Sequence, residues 1–265
     1  MMLTCTQRLP RRYVLALAFL AAAAFAFPAF AVEANFHFAP TYWNTSLSGD
    51  GQTGRGTESE QFDIDDDLGL DTTESVPSLD FFFRWGKNRF IIAWNRSDYA
   101  GSDHLDADLV FHGLTFPEGG KIESVLDFDR TRYIYGRPVL ETKRSGLDLL
   151  MGVETYEIDS SVLMSGVGKK RVNVDATIPV LGMSVVFFPL PTMRLYGEAV
   201  ATNLDHGHTE SRILDLYGSF EYYFVGQSIG IVVGYRLCNI KAKEEGDAGF
   251  DLQQRGPFTG LVFRL

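Results

Sequence analysis

An all-β chain closed into an antiparallel transmembrane β-barrel of about ten strands is the fold class that the sequence predicts, and three observations predict it. Beyond residue 33 apolar and polar residues alternate with a period of two over most of the chain, the pattern of strands with two unlike faces. No stretch in that region repeats apolar residues every third or fourth position as a long amphipathic helix would. The connections are short and long by turns, the arrangement of barrels that cross a membrane.

The leader comes first. Arg8, Arg11 and Arg12 precede an apolar run over 13–27, and the small-residue triplet Ala29, Phe30, Ala31 follows. That order predicts a secretory signal peptide over 1–31, cleaved after Ala31, with the barrel domain over 32–265. The apolar run is shorter than the roughly twenty residues a membrane-crossing helix needs. Cys5 lies ahead of it, away from the position a lipoprotein signal requires. Of the 24 basic residues three leave with the leader and no acid does, so 21 basic residues face 34 acidic ones and the net charge falls from −10 to −13. Such a balance argues against nucleic acid, whose phosphates demand clustered cations. Only Cys238 remains, which excludes an intramolecular disulfide and a cysteine-based zinc site.

Ten alternating segments follow, over 34–48, 76–86, 88–101, 121–141, 146–163, 170–188, 193–203, 209–225, 228–242 and 251–265. The clearest places Leu214, Leu216, Gly218, Phe220, Tyr222 and Phe224 on one face and Asp215, Tyr217, Ser219, Glu221 and Tyr223 on the other. One face suits lipid and the other suits an enclosed, ionic interior. The same division separates Leu79, Phe81, Phe83 from Asp80, Arg84, and Leu147, Leu149, Met151, Val153 from Asp148, Glu154. In the segment over 170–188 the alternation changes phase near Pro179 and Gly182, which predicts a bulge or a split strand. Short turns fall at 86–88, 142–145, 189–192 and 226–227; long polar loops fall at 49–75 and 102–120. An even count puts both chain ends at the short-turn side, and a segment misread as a hairpin would make the count eight or twelve. Closure removes the unpaired edges that lipid cannot satisfy. Aromatic residues near the segment ends, Tyr42, Trp43, Trp85, Trp94, Tyr99, Tyr133, Tyr135, Tyr156, Tyr196 and Tyr235, predict an interfacial girdle. A soluble β-sandwich or lipocalin-like barrel would alternate too, but ionic side chains at mid-strand opposite so many Leu, Ile and Phe argue against it.

Taken together, residues 34–265 resemble the small, porin-like outer-membrane β-barrel proteins of Gram-negative bacteria. Pro257, Thr259, Leu261, Phe263 and Leu265 alternate to the C-terminus, similar to the terminal segment that barrel-assembly machinery recognises in that family. The family usually ends in Phe, whereas this chain ends in Phe263, Arg264, Leu265. The resemblance implies an outer-membrane location, contact with lipid and lipopolysaccharide, and a monomer.

Three constellations carry candidate chemistry. Asp63, Asp65, Asp67, Asp71 and Glu74 stand at relative positions 1, 3, 5, 9 and 12, a spacing that resembles the EF-hand loop and points to Ca2+ as the ligand. Leu68 occupies the place of that loop's turn glycine, with Gly69 one position later, so a plain acidic loop is the competing reading. His104 and His112 in one long loop, and His206 and His208 in another, accompany Asp103, Asp106, Asp108 and Asp205. Of these, Asp106 and Asp108 with Asp205, His206 and His208 are similar in kind to the Asp pair and Asp/His pair with which ten-stranded surface proteases of the omptin type orient a water, and the His cluster would also suit zinc. Residues 166–170, Gly-Val-Gly-Lys-Lys, lack the first Gly and the final Ser or Thr of a phosphate loop and predict a hairpin tip. The interior face is expected to carry Asp80, Arg84, Asp148, Glu154, Arg194, Glu198, Asp215, Glu221, Arg236 and Arg264, and ten strands enclose too little space for a wide pore. The functional expectation is a non-enzymatic barrel without a resident cofactor, whose acidic external loops contact cations, lipopolysaccharide or a surface ligand, with a narrow channel as a variant. The alternative is a surface hydrolase, proteolytic or lipid A-modifying.

Overall fold

The computed structural model describes residues 34–53, 60–64, 66–111, 113–206, 209–225, 228–244 and 249–265; the signal peptide expected over 1–31 lies outside them. Their strands are β1 (Ala34–Thr53), β2 (Glu60–Asp63), β3 (Thr73–Trp85), β4 (Asn88–His104), β5 (Leu109–Phe111), β6 (Leu114–Phe116), β7 (Lys121–Glu141), β8 (Ser145–Met164), β9 (Gly168–Phe187), β10 (Met193–His206), β11 (Thr209–Val225), β12 (Ile229–Glu244) and β13 (Gly249–Arg264). Ten of them, β1, β3, β4 and β7 to β13, pair antiparallel with their chain neighbours, and β13 returns to pair with β1. The sheet is a closed ten-stranded barrel, as the alternation predicts. Its ends meet: Phe36 and Leu265 exchange backbone hydrogen bonds of 3.0 and 2.9 Å.

The expected segments match the strands to within a few residues, with two corrections. The long loops are not structureless, since β2 extends the outer end of β1 and β5 pairs with β6 as a small hairpin. The strand β9 is neither bulged nor split; it pairs with β8 without a register shift, and Ile178, Val180 and Ser184 keep pointing inward on either side of Gly182. What changes near Pro179 is the chemistry of the outer face, from Arg171, Asn173 and Asp175 to Leu181, Met183 and Val185. Register shifts occur instead at Pro138/Leu140 and Tyr223/Val225.

That chemical change divides the barrel into two zones. A tilted strand needs about 9–11 residues to cross hydrocarbon, whereas β7, β8 and β9 have 21, 20 and 20. Near the short turns the outer face is apolar, with Phe90, Trp94, Tyr133, Leu149, Met151, Val153, Leu181, Met183 and Val185 exposed or nearly so. Further along the same strands it becomes Arg96 and Asp98, Asp129 and Asp127, Glu157 and Asp159, and Asp175 and Arg171. There the inner face becomes apolar: Leu126, Phe128, Ile158 and Val162 join Leu47, Ile122, Met164, Ile213, Ile240 and Leu252 in one cluster. The expectation of an apolar outer face throughout therefore holds only for the zone near the short turns. Beyond it the two faces exchange chemistry, apolar inward and polar outward, as in a water-soluble barrel.

The outer apolar core is completed by the loops. Phe62, Ile64, Leu68 and Leu70 from the first, with Leu105, Leu109, Phe111 and Phe116 from the second, pack inside the barrel mouth. The strands β3 and β4 stop pairing beyond Ser78–Asn95, and the first loop covers the freed edge of β4 by a bridge from Leu70 to Gly101 and a hydrogen bond from Asp71 N to Ala100 O (3.2 Å). The freed edge of β4 is thereby covered from within the chain, whereas β9 and β10 stop pairing beyond Leu181–Ala201.

Candidate functional site

Below the apolar plug the interior is ionic, and it ties opposite walls together. Alternation on β7 sends both Arg130 and Arg132 inward; β8 contributes Glu154, β10 Glu198, β11 Asp215 and β12 Arg236. Arg130 binds Glu154 at 2.5 Å and Asp215 at 2.6 Å, and Arg132 binds Glu154 at 3.0 Å, Asp215 at 3.5 Å and Glu198. Arg236 closes the set on Asp215 at 2.8 Å. The phenols of Tyr156 and Tyr196 donate to Glu154 and Glu198, so remaining acceptor capacity is used within the network. Arg130 and Glu154 are 0 % exposed. Side chains that solvent does not reach therefore cross the barrel axis.

Of the ten residues expected on the interior face, seven are buried there: Asp80, Asp148, Glu154, Glu198, Asp215, Glu221 and Arg236. Arg194 pairs with Glu221, while Arg84 and Arg264 line a cavity at the short-turn end. Reasoning from single segments missed Arg130, Arg132 and Arg89, although the Arg-Thr-Arg spacing on β7 was the signal for the first two. It also placed Trp43, Tyr99, Tyr156 and Tyr196 in the girdle, whereas all four are buried inside. Their strand parity, opposite to that of Tyr42 and Trp94, decides this. Trp43 donates to Gly256 O at 3.0 Å.

The acidic loop has another use for its carboxylates. Asp63 accepts the Asp66 N–H (2.9 Å), Asp67 accepts the Asp63 N–H (2.7 Å), Asp71 accepts the Thr73 N–H (3.2 Å) and Glu74 accepts the Asp98 N–H (2.9 Å). Asp63 and Asp67 thus cap a single turn, and Glu74 bridges the gap between β3 and β4. Burial raises the Glu74 carboxyl, against the Asp98 N–H bond, which lowers it. Asp65 lies outside the described residues, and among those described no three metal-binding side chains gather at one point.

The histidine rim is described in part. Asp108 accepts the Glu118 N–H (2.8 Å), and the His104 ring nitrogen Nδ1 lies 3.3 Å from Gly119 O; Asp103 is exposed at the end of β4 and Asp106 in the loop that follows. His112, His208 and the side chains of Asp205 and His206 lie outside the described residues. Gly166, at φ +86°, makes the hairpin tip between β8 and β9.

On the outer wall beyond the apolar belt, register sets acids opposite acids. Asp98 faces Asp127, which faces Asp159; Asp129 faces Glu157, which faces Asp175. Burial first and then the Asp98 carboxylate raise the Asp127 carboxyl, and burial first raises that of Asp129. The Arg171 hydrogen bond holds Asp159 below its ordinary range.

A closed, even-stranded barrel with a lipid-compatible outer belt and an ion-paired interior has the fold of the outer-membrane β-barrel proteins. No protein-family model and no curated protein matches the chain. Among solved structures it is similar in fold to the outer membrane protease OmpT from Escherichia coli, at 10 % identity and a TM-score of 0.59, covering 91 % of this chain and 99 % of that one. The transport unit of the autotransporter AIDA-I from Escherichia coli also matches, at 10 % identity and a TM-score of 0.37, over 97 % of this chain and 99 % of that one. So does Ail, the attachment invasion locus protein of Yersinia pestis, at 11 % identity and a TM-score of 0.32, over 85 % and 99 %.

Proposed function

We propose that the chain resides in the outer membrane of a Gram-negative cell as a monomeric, non-enzymatic barrel that acts from its external surface and not through its lumen. The observation that carries this reading is the double seal: the Arg130–Glu154–Asp215 network, and above it the loop residues Phe111, Phe116 and Leu68. Opening a path would strand buried charges, which costs several kcal/mol per ion. The surface left for function is the acidic wall and loops, which suit divalent cations shared with lipopolysaccharide phosphates. Planar-bilayer recording tests the seal. The expected trace shows no unitary conductance, and stable open-channel steps would sink the proposal.

Calcium held by Asp63, Asp65, Asp67, Asp71 and Glu74 belongs to the same reading. Its test is isothermal titration, where a heat equal in wild type and in Asp63→Asn would exclude the site. The fold shared with OmpT, a protease, supports a second reading as a surface hydrolase using Asp106, Asp108, Asp205, His206 and His208. Alanine at His206 and His208 should abolish peptide or lipid A cleavage on whole cells if that reading holds, and barrel assembly should survive.

A further inference from the structure

At the short-turn end the barrel holds a cavity of about 550 Å3, within the roughly 300–1,000 Å3 typical of small-molecule pockets. Six cationic residues line it, Arg84, Arg89, Lys143, Arg144, Arg194 and Arg264, against two carboxylates, Glu141 and Asp148. In a chain of net charge −10 this reverses the sign of charge locally.

Both carboxylates are already engaged. Glu141 takes Arg84 at 2.7 Å and Arg89 at 3.5 Å, and Asp148 takes Arg89. Arg194 is engaged by Glu221, which lies behind the lining. Lys143, Arg144 and Arg264 have no carboxylate partner among the described residues. Arg264 stands instead over the rings of Phe188 and Tyr223, at 5.6 and 6.0 Å. Ring faces hold a guanidinium without cancelling its charge, so its N–H groups remain able to meet an anion.

A second observation points to a polar ligand in the same cavity. His37 lines the cavity with its Nε2 3.1 Å from Glu221 and 3.5 Å from Arg194 Nη1, while its Nδ1 is buried without a hydrogen-bond partner. A carboxylate only accepts, so the shorter contact, to Glu221, puts a proton on Nε2. Buried polar atoms without partners are uncommon and call for an explanation. A polar ligand in the cavity would satisfy this one: a hydroxyl by donating to a neutral ring, or an anionic oxygen by accepting from a protonated one.

We propose that this cavity binds a small polyanion of the phosphate or carboxylate class, held by Arg264, Arg144 and Lys143. The full mature protein in non-ionic detergent is titrated calorimetrically with pyrophosphate in one arm and citrate in the other. The expected result is saturable binding to one site in at least one arm, weakened tenfold or more by Arg264→Gln and by Arg144→Gln. The more strongly bound probe assigns the anion class. Arg171→Gln, on the outer wall far along the strands, should leave the affinity unchanged. The absence of saturable heat in both arms overturns the proposal, as does equal weakening by Arg171→Gln, which would indicate general charge attraction. Should Arg264→Gln fail to assemble, Arg144→Gln, in an exposed turn, decides alone.

Discussion

The residues with most at stake are those that would leave a charge unpaired. Arg130 touches both Glu154 and Asp215 and is wholly buried. Arg130→Ala leaves two buried carboxylates short of a partner, and breaking such a pair costs about 3–5 kcal/mol. A strong fall in melting temperature in detergent is expected, whereas Arg171→Ala, which breaks an exposed pair with Asp159, should have little effect. Comparable melting of the two variants would show that the network carries no stability. Asp127 behaves in the opposite sense, since its carboxyl is raised by burial and by the facing Asp98. A raised carboxyl destabilises the fold when ionised; the cost is fully present above its folded pKa and vanishes as pH falls below the unfolded value. Asp127→Asn should therefore stabilise the barrel at neutral pH in chelator-containing buffer, by about 0.2–1 kcal/mol for each of its two opposed like-charge pairs. At a pH below the ordinary carboxylate range the gain should disappear. A gain that persists there would mean that charge is not the cause.

At the scale of elements, the docking of the first loop on β4 depends on one missing side chain. A Cβ on Gly101 would collide with the carbonyl oxygen of Gly69 and crowd Leu70. Gly101→Val should therefore undock the loop, at about 1–3 kcal/mol for an overpacked contact, and expose Leu68 and Leu70. Limited proteolysis should then cut within 60–72, and unchanged resistance would show that the bridge does not hold the loop. The loop also shows where the sequence stops being legible. Strands were readable because the period of two survives in both zones: on β9 the inward Val180 and the outward Leu181 keep their parity through a change of solvent. The plug was not readable, because Phe62, Ile64, Leu68 and Leu70 are interleaved with aspartates that dominate the local composition. The ionic site was legible by half. Parity identifies which side chains face inward, but that Arg130 meets Asp215, 85 residues away, follows only from the register and closure of the whole sheet.

For the molecule as a whole, the two-zone wall fixes how deep the barrel sits, and this can be measured. If lipid covers only the apolar belt, the boundary crosses β4 between Trp94 and Arg96, β7 between Tyr133 and Asp129, β8 between Val153 and Glu157, and β9 between Leu181 and Asp175. These positions all face outward, so access from water depends on depth and not on strand parity. Single cysteines introduced as Met151→Cys and Met183→Cys should resist a water-soluble maleimide in liposomes, while Glu157→Cys and Asn173→Cys should label rapidly. Cys238 gives little background, because it is buried inside the barrel. Solubilising the liposomes in mild detergent should leave the order of rates unchanged, since a micelle covers the same belt. Rapid labelling at Met151→Cys and Met183→Cys, with the fold intact by heat-modifiable mobility, would place the apolar face in water. Its exposed Leu, Met and Val side chains would then need a protein partner instead of a bilayer.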